Sequence, residues 1–165
     1  MLITLTGYMG CGKSTVGKEV ADALGCPFLD LDTLIEKKAG KSIPQIFEAD
    51  GEAVFRRLEK KMLEETVKKH AEGTAVLALG GGTVTVPGAP ALLHEKTLCI
   101  WLRASLETLR SRLEGQTHGR PLAGEGFAER LAERAPLYEQ AAHIILDTDD
   151  CTPEEIADEI IISCL

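Results

Sequence analysis

A glycine-rich segment near the amino terminus carries the clearest chemical signal in the sequence. Residues 7–14 read Gly-Tyr-Met-Gly-Cys-Gly-Lys-Ser and match the pattern G-x-x-x-x-G-K-[ST]. Glycines let successive backbone N–H groups curl around a phosphate, and a helix that starts there adds partial positive charge. Lys13 is placed to reach the β- and γ-phosphates of a nucleotide, and the Ser14 hydroxyl to ligate Mg²⁺. The pattern predicts a nucleotide site at Gly10, Cys11, Gly12, Lys13, Ser14 and Thr15.

Two carboxylates follow at the end of the second predicted strand. Asp30 and Asp32 flank Leu31. In an extended chain, side chains two positions apart point to the same side, and the carboxyl ends of parallel strands line the ligand crevice. We expect one carboxylate to hold Mg²⁺ through water and the other to accept a proton from a substrate hydroxyl. The alternative is that Asp32 only caps the following helix.

Charged residues later in the chain are ambiguous when each is taken alone. Arg56 and Glu59 lie three apart on a long predicted helix and share one face, which by itself indicates only a solvated ion pair. Arg134 precedes Pro136, and we expect that proline to end one helix and begin another. A structural role accounts for Pro136 but leaves Arg134 unexplained.

The segment 114–126 lacks a helix or strand pattern and contains four glycines and one proline. Segments of this length without structure of their own are functional or disordered. Arg120 lies within it. A mobile segment with one arginine is the form expected of a kinase lid that stabilises developing phosphoryl charge.

The elements that must position these residues alternate between strand and helix patterns. Strands are predicted at 2–6, 27–31, 75–79, 97–102 and 143–147, and helices at 13–24, 33–39, 43–49, 52–70, 106–113 and 153–162. Such alternation is typical of a parallel sheet with helices on both faces. The predicted fold class is therefore α/β, a three-layer α/β/α arrangement with a five-stranded parallel sheet. A chain of 165 residues fits one domain, 1–165.

Composition excludes some partners. The chain has 18 Lys and Arg against 26 Asp and Glu, a net charge of −8, and only 4% aromatic residues. A general nucleic-acid binder usually needs a basic face and stacking platforms, so no nucleic-acid partner is expected. On charge alone, an anionic ligand is not expected either. Only the local placement of the cations tests that expectation.

Cysteine and histidine usage indicates a reducing compartment. The five cysteines are odd in number and include no C-x-x-C pair, and the four histidines show no metal-ligand spacing. The amino terminus has no basic region before a long apolar core, and no apolar run approaches the ~20 residues that span a bilayer. We therefore expect a cytoplasmic protein with reduced thiols and no membrane partner, acting as a monomer.

The phosphate-binding pattern occurs in GTPases, ATPases and small-molecule kinases. No Asn-Lys-x-Asp guanine reader is present, and the third predicted strand ends in Gly80-Gly81-Gly82, where many ATPases carry a carboxylate. A small-molecule kinase is favoured. A kinase of another small hydroxylated acid such as gluconate, and a nucleotide-binding switch or catalytically silent module, stay open as alternatives.

Five segments, taken in order, resemble the shikimate kinase family, a member of the nucleoside-monophosphate-kinase-like P-loop group. They are the loop 7–15, Phe-Leu-Asp-Leu-Asp at 28–32, Phe-Arg-Arg-Leu-Glu at 55–59, Leu-Gly-Gly-Gly at 79–82, and Arg-Pro-Leu at 120–122 with Arg-Ala-Pro-Leu-Tyr at 134–138. Many families share the loop. The Asp-x-Asp, Phe-Arg-x-x-Glu and Gly-Gly-Gly set in this order is specific to this one.

The resemblance implies transfer of the ATP γ-phosphate to the 3-hydroxyl of shikimate, with ATP and Mg²⁺ as cofactors, in the pathway to chorismate and the aromatic amino acids. It implies a substrate-binding segment at about 32–60 and a lid at about 113–126. The implied catalytic residues are Asp32, Lys13 and Arg120. The implied substrate-binding residues are Asp32, Arg56, Glu59, Gly80, Gly81, Gly82 and Arg134.

The resemblance also implies a role for individual residues. Asp32 is similar to the carboxylate that contacts the shikimate hydroxyls and is the candidate base. Arg56 and Arg134 match the pair that grips the shikimate carboxylate, Glu59 orients Arg56, and Gly81 offers a backbone N–H. On the nucleotide side, the implied contacts are Arg120 on the ATP phosphates, Arg112 and Pro153 near adenine, and Ser14 and Asp30 near the metal.

Overall fold

Five parallel strands form one sheet in the computed structural model, which describes residues 1–114 and 126–164. The strands are β1 (Leu2–Thr6), β2 (Phe28–Asp30), β3 (Ala75–Ala78), β4 (Leu98–Arg103) and β5 (Ile144–Asp147), in the order β2-β3-β1-β4-β5. The helices are α1 (Lys13–Leu24), α2 (Leu31–Ala39), α3 (Ile43–Asp50), α4 (Glu52–Lys69), α5 (Ala89–Lys96), α6 (Leu106–Leu113), α7 (Phe127–Ala141) and α8 (Pro153–Cys164). A short 3₁₀ turn spans Thr83–Thr85.

The burial of the central strand β1 explains why helices cover both faces of the sheet. Every residue of Leu2–Thr6 is buried, and β1 pairs with β3 on one side and β4 on the other, with Leu5 opposite both Ala78 and Ile100. A parallel strand buried on both faces needs a helical layer on each. Helix α1 packs against α8, and α5 packs against α7. The predicted three-layer α/β/α fold is confirmed.

The bounds of the predicted strands and helices match those of the structure to within one or two residues, and no bounds were predicted for α7. The strand predicted at 27–31 ends at Asp30, because α2 already begins at Leu31. The 3₁₀ turn and α5 were not predicted, since the stretch between Gly82 and Thr97 has small residues and two prolines but no clear period.

The prediction that Pro136 separates two helices was wrong. Pro136 lies inside α7, which runs without a break from Phe127 to Ala141. A proline in a helix removes one backbone hydrogen bond and costs about 3 kcal/mol. The buried residues Arg134 and Tyr138 lie on either side of it, and their packing offsets that cost. Local propensity is overridden here by tertiary contacts.

No helix in the described ranges is long and apolar enough to cross a membrane.

Candidate active site

A cleft of about 870 Å³ opens at the carboxyl ends of the central strands. Its walls are formed by the glycine-rich loop, the start of α2, the first half of α4, the turn after β3, and α7. Every predicted site residue that the structure describes lines this cleft: Gly10, Cys11, Gly12, Lys13, Ser14, Thr15, Asp30, Asp32, Arg56, Glu59, Gly80, Gly81, Gly82, Arg112, Arg134 and Pro153. Arg120 lies outside the described residues.

The glycine-rich loop joins β1 to α1. Gly10 and Gly12 have φ values of 87° and 90°, in the left-handed region where side chains with a Cβ are strained. The Lys13 ammonium folds back over the loop and donates to the carbonyl oxygens of Gly7 at 2.7 Å and Tyr8 at 3.2 Å. The loop therefore presents a cation and the first turn of a helix to the cleft, which suits a phosphate.

The Cys11 side chain is buried within this loop. A Cβ on Gly7 would lie 2.8 Å from the Cys11 sulfur, and the Lys13 ammonium lies 3.7 Å from the same sulfur.

Ser14 and Asp30 place two oxygen atoms side by side at the mouth of the loop. The Ser14 hydroxyl donates to Asp30 Oδ2 at 2.9 Å. Hydroxyl and carboxylate oxygens are the ligands that Mg²⁺ prefers, usually together with water and substrate phosphates. Within residues 1–114 and 126–164, no three His, Cys, Asp or Glu side chains are grouped to hold a metal by themselves. These two oxygens therefore fit a Mg²⁺ that arrives with the nucleotide.

Asp30 and Asp32 do not lie on one extended strand, so that prediction was wrong. Asp30 is the N-cap of α2, and its Oδ1 accepts from the backbone N–H groups of Asp32 at 2.9 Å and Thr33 at 3.3 Å. Asp32 lies in the first turn of the helix, so the alternative that Asp32 is the cap is also wrong. Both carboxylates nevertheless reach the cleft, because the cap holds the helix start at the strand end.

The Asp32 carboxylate is left without a hydrogen bond to any residue in the described ranges, although most of it is shielded from solvent. It lies against the turn after β3, where a Cβ on Gly80 would be 3.0 Å from Asp32 Oδ1. Burial raises the pKa of Asp32 to about 6, and the nearby carboxylates of Asp30, Glu59 and Glu36 add to the rise, while Lys13 opposes it. Near neutral pH this group is mostly ionised and can accept a proton.

Arg56 is held by a buried carboxylate. Its Nη1 donates to Glu59 Oε1 at 2.7 Å, and the Thr83 hydroxyl donates to Glu59 Oε2 at 2.8 Å. Glu59 is 0% exposed, so the solvated ion pair that the sequence alone indicates is not what the structure contains. Thr83 was missed by sequence reasoning, because it belongs to the unpredicted 3₁₀ turn.

Arg134 is a buried cation on α7. It is 7% exposed, and its guanidinium lies over the Tyr8 ring at 5.6 Å from the centroid. Among residues 1–114 and 126–164 it forms no ion pair with a carboxylate. One turn later, the Tyr138 hydroxyl donates to the carbonyl of Gly81. A buried guanidinium without a counter-ion is costly unless an anion joins it.

The two arginines meet at the turn after β3. A Cβ on Gly82 would lie 2.5 Å from Arg56 Nη2, and a Cβ on Gly81 would lie 3.8 Å from Arg134 Nη1. Two guanidinium groups thus lie beside adjacent residues, one from α4 and one from α7. Guanidinium groups are forked donors that match the geometry of a carboxylate.

An apolar wall that sequence reasoning also missed closes the cleft beside the arginines. It consists of Ile43, Pro44 and Phe47 of α3 and Phe55 of α4. The Phe47 and Phe55 rings pack at 5.0 Å between centroids. The i, i+4 spacing of Ile43 and Phe47 was the available signal, but it is equally typical of a core-facing helix. This wall can contact the carbon skeleton of a small ligand.

Arg112 and Pro153 lie at the opposite end of the cleft. Arg112 Nη2 donates to the Thr148 carbonyl at 2.9 Å, and Nη1 donates to the Gly10 carbonyl at 3.3 Å. Arg112 therefore ties the glycine-rich loop to the connection between β5 and α8. Pro153 is the first residue of α8 and lines the cleft on that side.

Comparisons with known proteins agree with one another. A family model described as shikimate kinase matches residues 9–165. The shikimate kinase of Enterococcus faecalis is 42% identical over 164 residues, covering 96% of this chain and 95% of the relative. That of Thermus thermophilus is 43% identical over 164 residues, covering 96% of this chain and 87% of the relative.

Solved structures show the same similarity. The shikimate kinase of Acinetobacter baumannii, in complex with shikimate, has a TM-score of 0.89 at 34% identity, covering 99% of this chain and 92% of that one. The enzyme of Bacteroides thetaiotaomicron has a TM-score of 0.87 at 31% identity, covering 99% and 97%. These matches confirm the nucleoside-monophosphate-kinase-like P-loop fold and show that the chain belongs to the shikimate kinase family of ATP-dependent kinases.

Proposed function

We propose that the chain transfers the γ-phosphate of ATP to the 3-hydroxyl of shikimate, giving shikimate 3-phosphate and ADP. Family membership supports the reaction class, and the Acinetobacter baumannii relative was solved with shikimate bound. The observation that carries the substrate is the pair Arg56 and Arg134, which lie beside the adjacent residues Gly82 and Gly81. Shikimate is a small carboxylate with three hydroxyls, and this pair fits its acid group.

The shikimate carboxylate is the counter-ion that Arg134 lacks among the described residues. Glu59 engages Nη1 of Arg56 and is itself fixed by Thr83. Nη2 donates to the more exposed Glu52 at 3.3 Å, and the substrate carboxylate replaces this longer contact. Gly81 adds a backbone N–H, and its carbonyl is held by Tyr138. These contacts orient the acid so that its hydroxyls face Asp32, in the segment at about 32–60 that we propose as the substrate-binding segment.

Asp32 is the proposed base. The 3-hydroxyl oxygen attacks the γ-phosphorus, the new O–P bond forms as the bond to the ADP oxygen breaks, and the hydroxyl proton moves to an Asp32 carboxylate oxygen. A pKa of about 6 keeps this carboxylate mostly ionised at neutral pH and close enough to that pH to transfer the proton efficiently. Because Gly80 has no side chain, the Asp32 carboxylate lies directly against the turn after β3.

The phosphates of ATP are proposed to bind the backbone N–H groups of Gly10, Gly12 and their neighbours in the loop. Lys13, which donates to the carbonyls of Gly7 and Tyr8, would donate instead to β- and γ-phosphate oxygens. Ser14 and Asp30 hold Mg²⁺, which when bound neutralises phosphate charge. Arg112 and Pro153 are the proposed adenine neighbours.

Some parts of the proposal reach beyond the cleft. The segment at about 113–126 is proposed as a lid whose Arg120 contacts the ATP phosphates; residues 115–125 lie outside the described ranges. The proposed binding groups for both substrates come from one chain, so we propose that the protein acts as a monomer, in one domain, in the cytoplasm. Light scattering of the purified protein tests the monomer.

The test is ADP release from Mg-ATP in the presence of single hydroxy acids. Shikimate, gluconate and quinate are compared at equal concentrations, and the product is identified by ³¹P and ¹H NMR. We expect shikimate-dependent ADP release, a phosphate ester at position 3, and no activity when Mg²⁺ is chelated. Turnover of gluconate without turnover of shikimate contradicts the proposal, and ATP binding without any acid binding in calorimetry indicates a switch or a silent module.

A further inference from the structure

Tyr8, at a position of the glycine-rich loop where the pattern specifies no residue, lies at the centre of a buried cluster. Its side chain is 1% exposed. The centroid of its ring lies 5.6 Å from the Arg134 guanidinium carbon and 4.7 Å from the centroid of the Phe127 ring. Its hydroxyl donates to the Phe127 carbonyl at 2.7 Å. The phosphate loop thus contacts α7 at two places, the start of the helix and the arginine.

The ring gives Arg134 an electrostatic partner where it has no carboxylate in the described ranges. The face of an aromatic ring attracts a cation, and the attraction is stronger when both groups are shielded from water. Because the ring is neutral, it fixes the guanidinium without neutralising it. A carboxylate at this place would also hold Arg134, but it would compete with an anionic ligand.

The Tyr8 hydroxyl fixes the ring in turn. Phe127 is the first residue of α7, so its carbonyl belongs to the first turn of the helix that carries Arg134. The hydrogen bond holds the loop and the helix start together, and the Phe127 ring packs against Tyr8. The ring orientation is therefore set by α7 itself, two turns before Arg134.

We propose that Tyr8 is a positioning residue for acid binding: its ring holds the Arg134 guanidinium in the orientation that meets the substrate carboxylate. The proposal rests on the proposed function, in which that carboxylate belongs to shikimate. Tyr8 does not touch the acid in this proposal and acts only through Arg134. Its backbone carbonyl accepts from Lys13, so one residue supports a cation in each half of the cleft.

A double-mutant cycle tests this role. Tyr8→Leu removes the ring, Tyr8→Phe keeps the ring but loses the hydroxyl, and Arg134→Ala removes the cation. Shikimate and ATP binding are measured by calorimetry for each variant and for Tyr8→Leu combined with Arg134→Ala. Leu93→Val is the control for loss of core packing, because Leu93 is 0% exposed in α5 and does not line the cleft.

Tyr8→Leu is expected to weaken shikimate binding about five- to tenfold, from the size of a partly desolvated cation–π contact. ATP binding should change less than about twofold. Tyr8→Phe should keep shikimate affinity within about threefold of wild type. In the Arg134→Ala background, Tyr8→Leu should have no further effect on shikimate affinity, since the group it positions is gone. Tyr8→Met carries the same expectations if Tyr8→Leu fails to fold.

Two results separate this proposal from the one it rests on. If wild-type protein gives no heat with shikimate, the proposed function fails and Tyr8 loses its role with it. If wild type binds shikimate and Tyr8→Leu binds equally well, or weakens binding as much with Arg134→Ala as without it, the proposal for Tyr8 alone is overturned. A loss of affinity in Leu93→Val equal to that in Tyr8→Leu also overturns it.

Discussion

Replacing Asp32 with Asn should make the protein more stable while removing most of its activity. The carboxylate is largely buried, lies near three other carboxylates, and accepts no hydrogen bond from the described residues. Asn keeps the shape and removes the charge, so the folded state no longer has to hold an ionised group away from water. If Asp32 is the base, turnover should fall about 10²- to 10⁴-fold.

The size of the stabilisation follows from the pKa. It rises from the ordinary 3.8 to about 6 in the folded protein. At 1.36 kcal/mol per pH unit, this difference corresponds to about 3 kcal/mol of unfolding free energy. A carboxyl group with a raised pKa binds its proton more tightly when folded, so the cost is complete above pH 6 and vanishes below 3.8. At pH 5 about half of it should remain.

The assay is urea unfolding of wild type and Asp32→Asn at pH 7.5 and pH 5. The variant should be more stable by up to about 3 kcal/mol at pH 7.5, and the gain should be about half as large at pH 5. In wild type, kcat/KM for shikimate should fall tenfold per pH unit below about 6, the value to which burial raises the pKa of Asp32. The residual activity of Asp32→Asn should not show this decrease below pH 6.

Asp30→Ala is the matched control, because it lies two residues away and its expected effect on stability is the opposite. Asp30 caps α2 and accepts from Ser14, so its loss should destabilise the protein by about 0.5–2 kcal/mol at pH 7.5. An Asp32→Asn protein that is less stable than wild type at pH 7.5, or whose gain in stability does not shrink by pH 5, would refute a destabilising role for the Asp32 charge. Near-normal turnover would show that Asp32 orients the hydroxyl without accepting its proton.

Three further substitutions test the acid-binding half of the cleft. Arg134→Ala should raise the KM for shikimate at least about tenfold and that for ATP much less, since one charge-assisted hydrogen bond contributes about 1.5–3 kcal/mol. Gly82→Ala should raise the KM for shikimate and lower the Tm, because its Cβ would lie 2.5 Å from Arg56 Nη2, and displacing that guanidinium strains its ion pair with the buried Glu59. Thr83→Val should lower the unfolding free energy by about 1–3 kcal/mol in urea titrations, because Glu59 loses a buried donor.

Different results would contradict each of these expectations. Equal rises in both KM values for Arg134→Ala would indicate that Arg134 serves the fold or the nucleotide. A Gly82→Ala enzyme with unchanged shikimate KM would show that Arg56 does not need its present position. Unchanged stability of Thr83→Val would mean that water replaces the hydroxyl at Glu59.

The positions of the strands and the nucleotide loop could be predicted because each depends on local sequence. A run of apolar residues, a glycine-rich turn and an amphipathic helix specify β1, the loop and α1 with few long-range contacts. The placement of Asp30 and Asp32 needed more, because capping and extension compete at a strand end. Asp30 satisfies two backbone N–H groups of α2, and this local hydrogen bonding starts the helix two residues earlier than the sequence pattern predicts.

The parts that could not be predicted depend on residues far apart in the sequence. Thr83 bonds Glu59 across 24 positions, and Tyr138 bonds Gly81 across 57. No periodicity marks either partner. Pro136 also shows that local sequence is not sufficient. A proline usually interrupts a helix, but here the packing of Tyr138 keeps the helix continuous. Family resemblance supplied Arg134 where residue patterns could not.

The net charge of −8 discouraged an anionic ligand, and the structure explains why that inference does not hold. Charges beyond roughly 8–10 Å are screened by salt, so a cleft is governed by the groups that line it. Here Lys13, Arg56 and Arg134 face the cavity, and Arg134 lies over an aromatic ring without a carboxylate partner in the described ranges. The cleft also contains carboxylates, most of which cap a helix or hold Arg56. Asp32 does neither, and its burial raises its pKa. The net charge of the whole chain therefore describes its surface. The charge of the ligand is predicted instead by which buried groups in the cleft lack a partner of opposite charge.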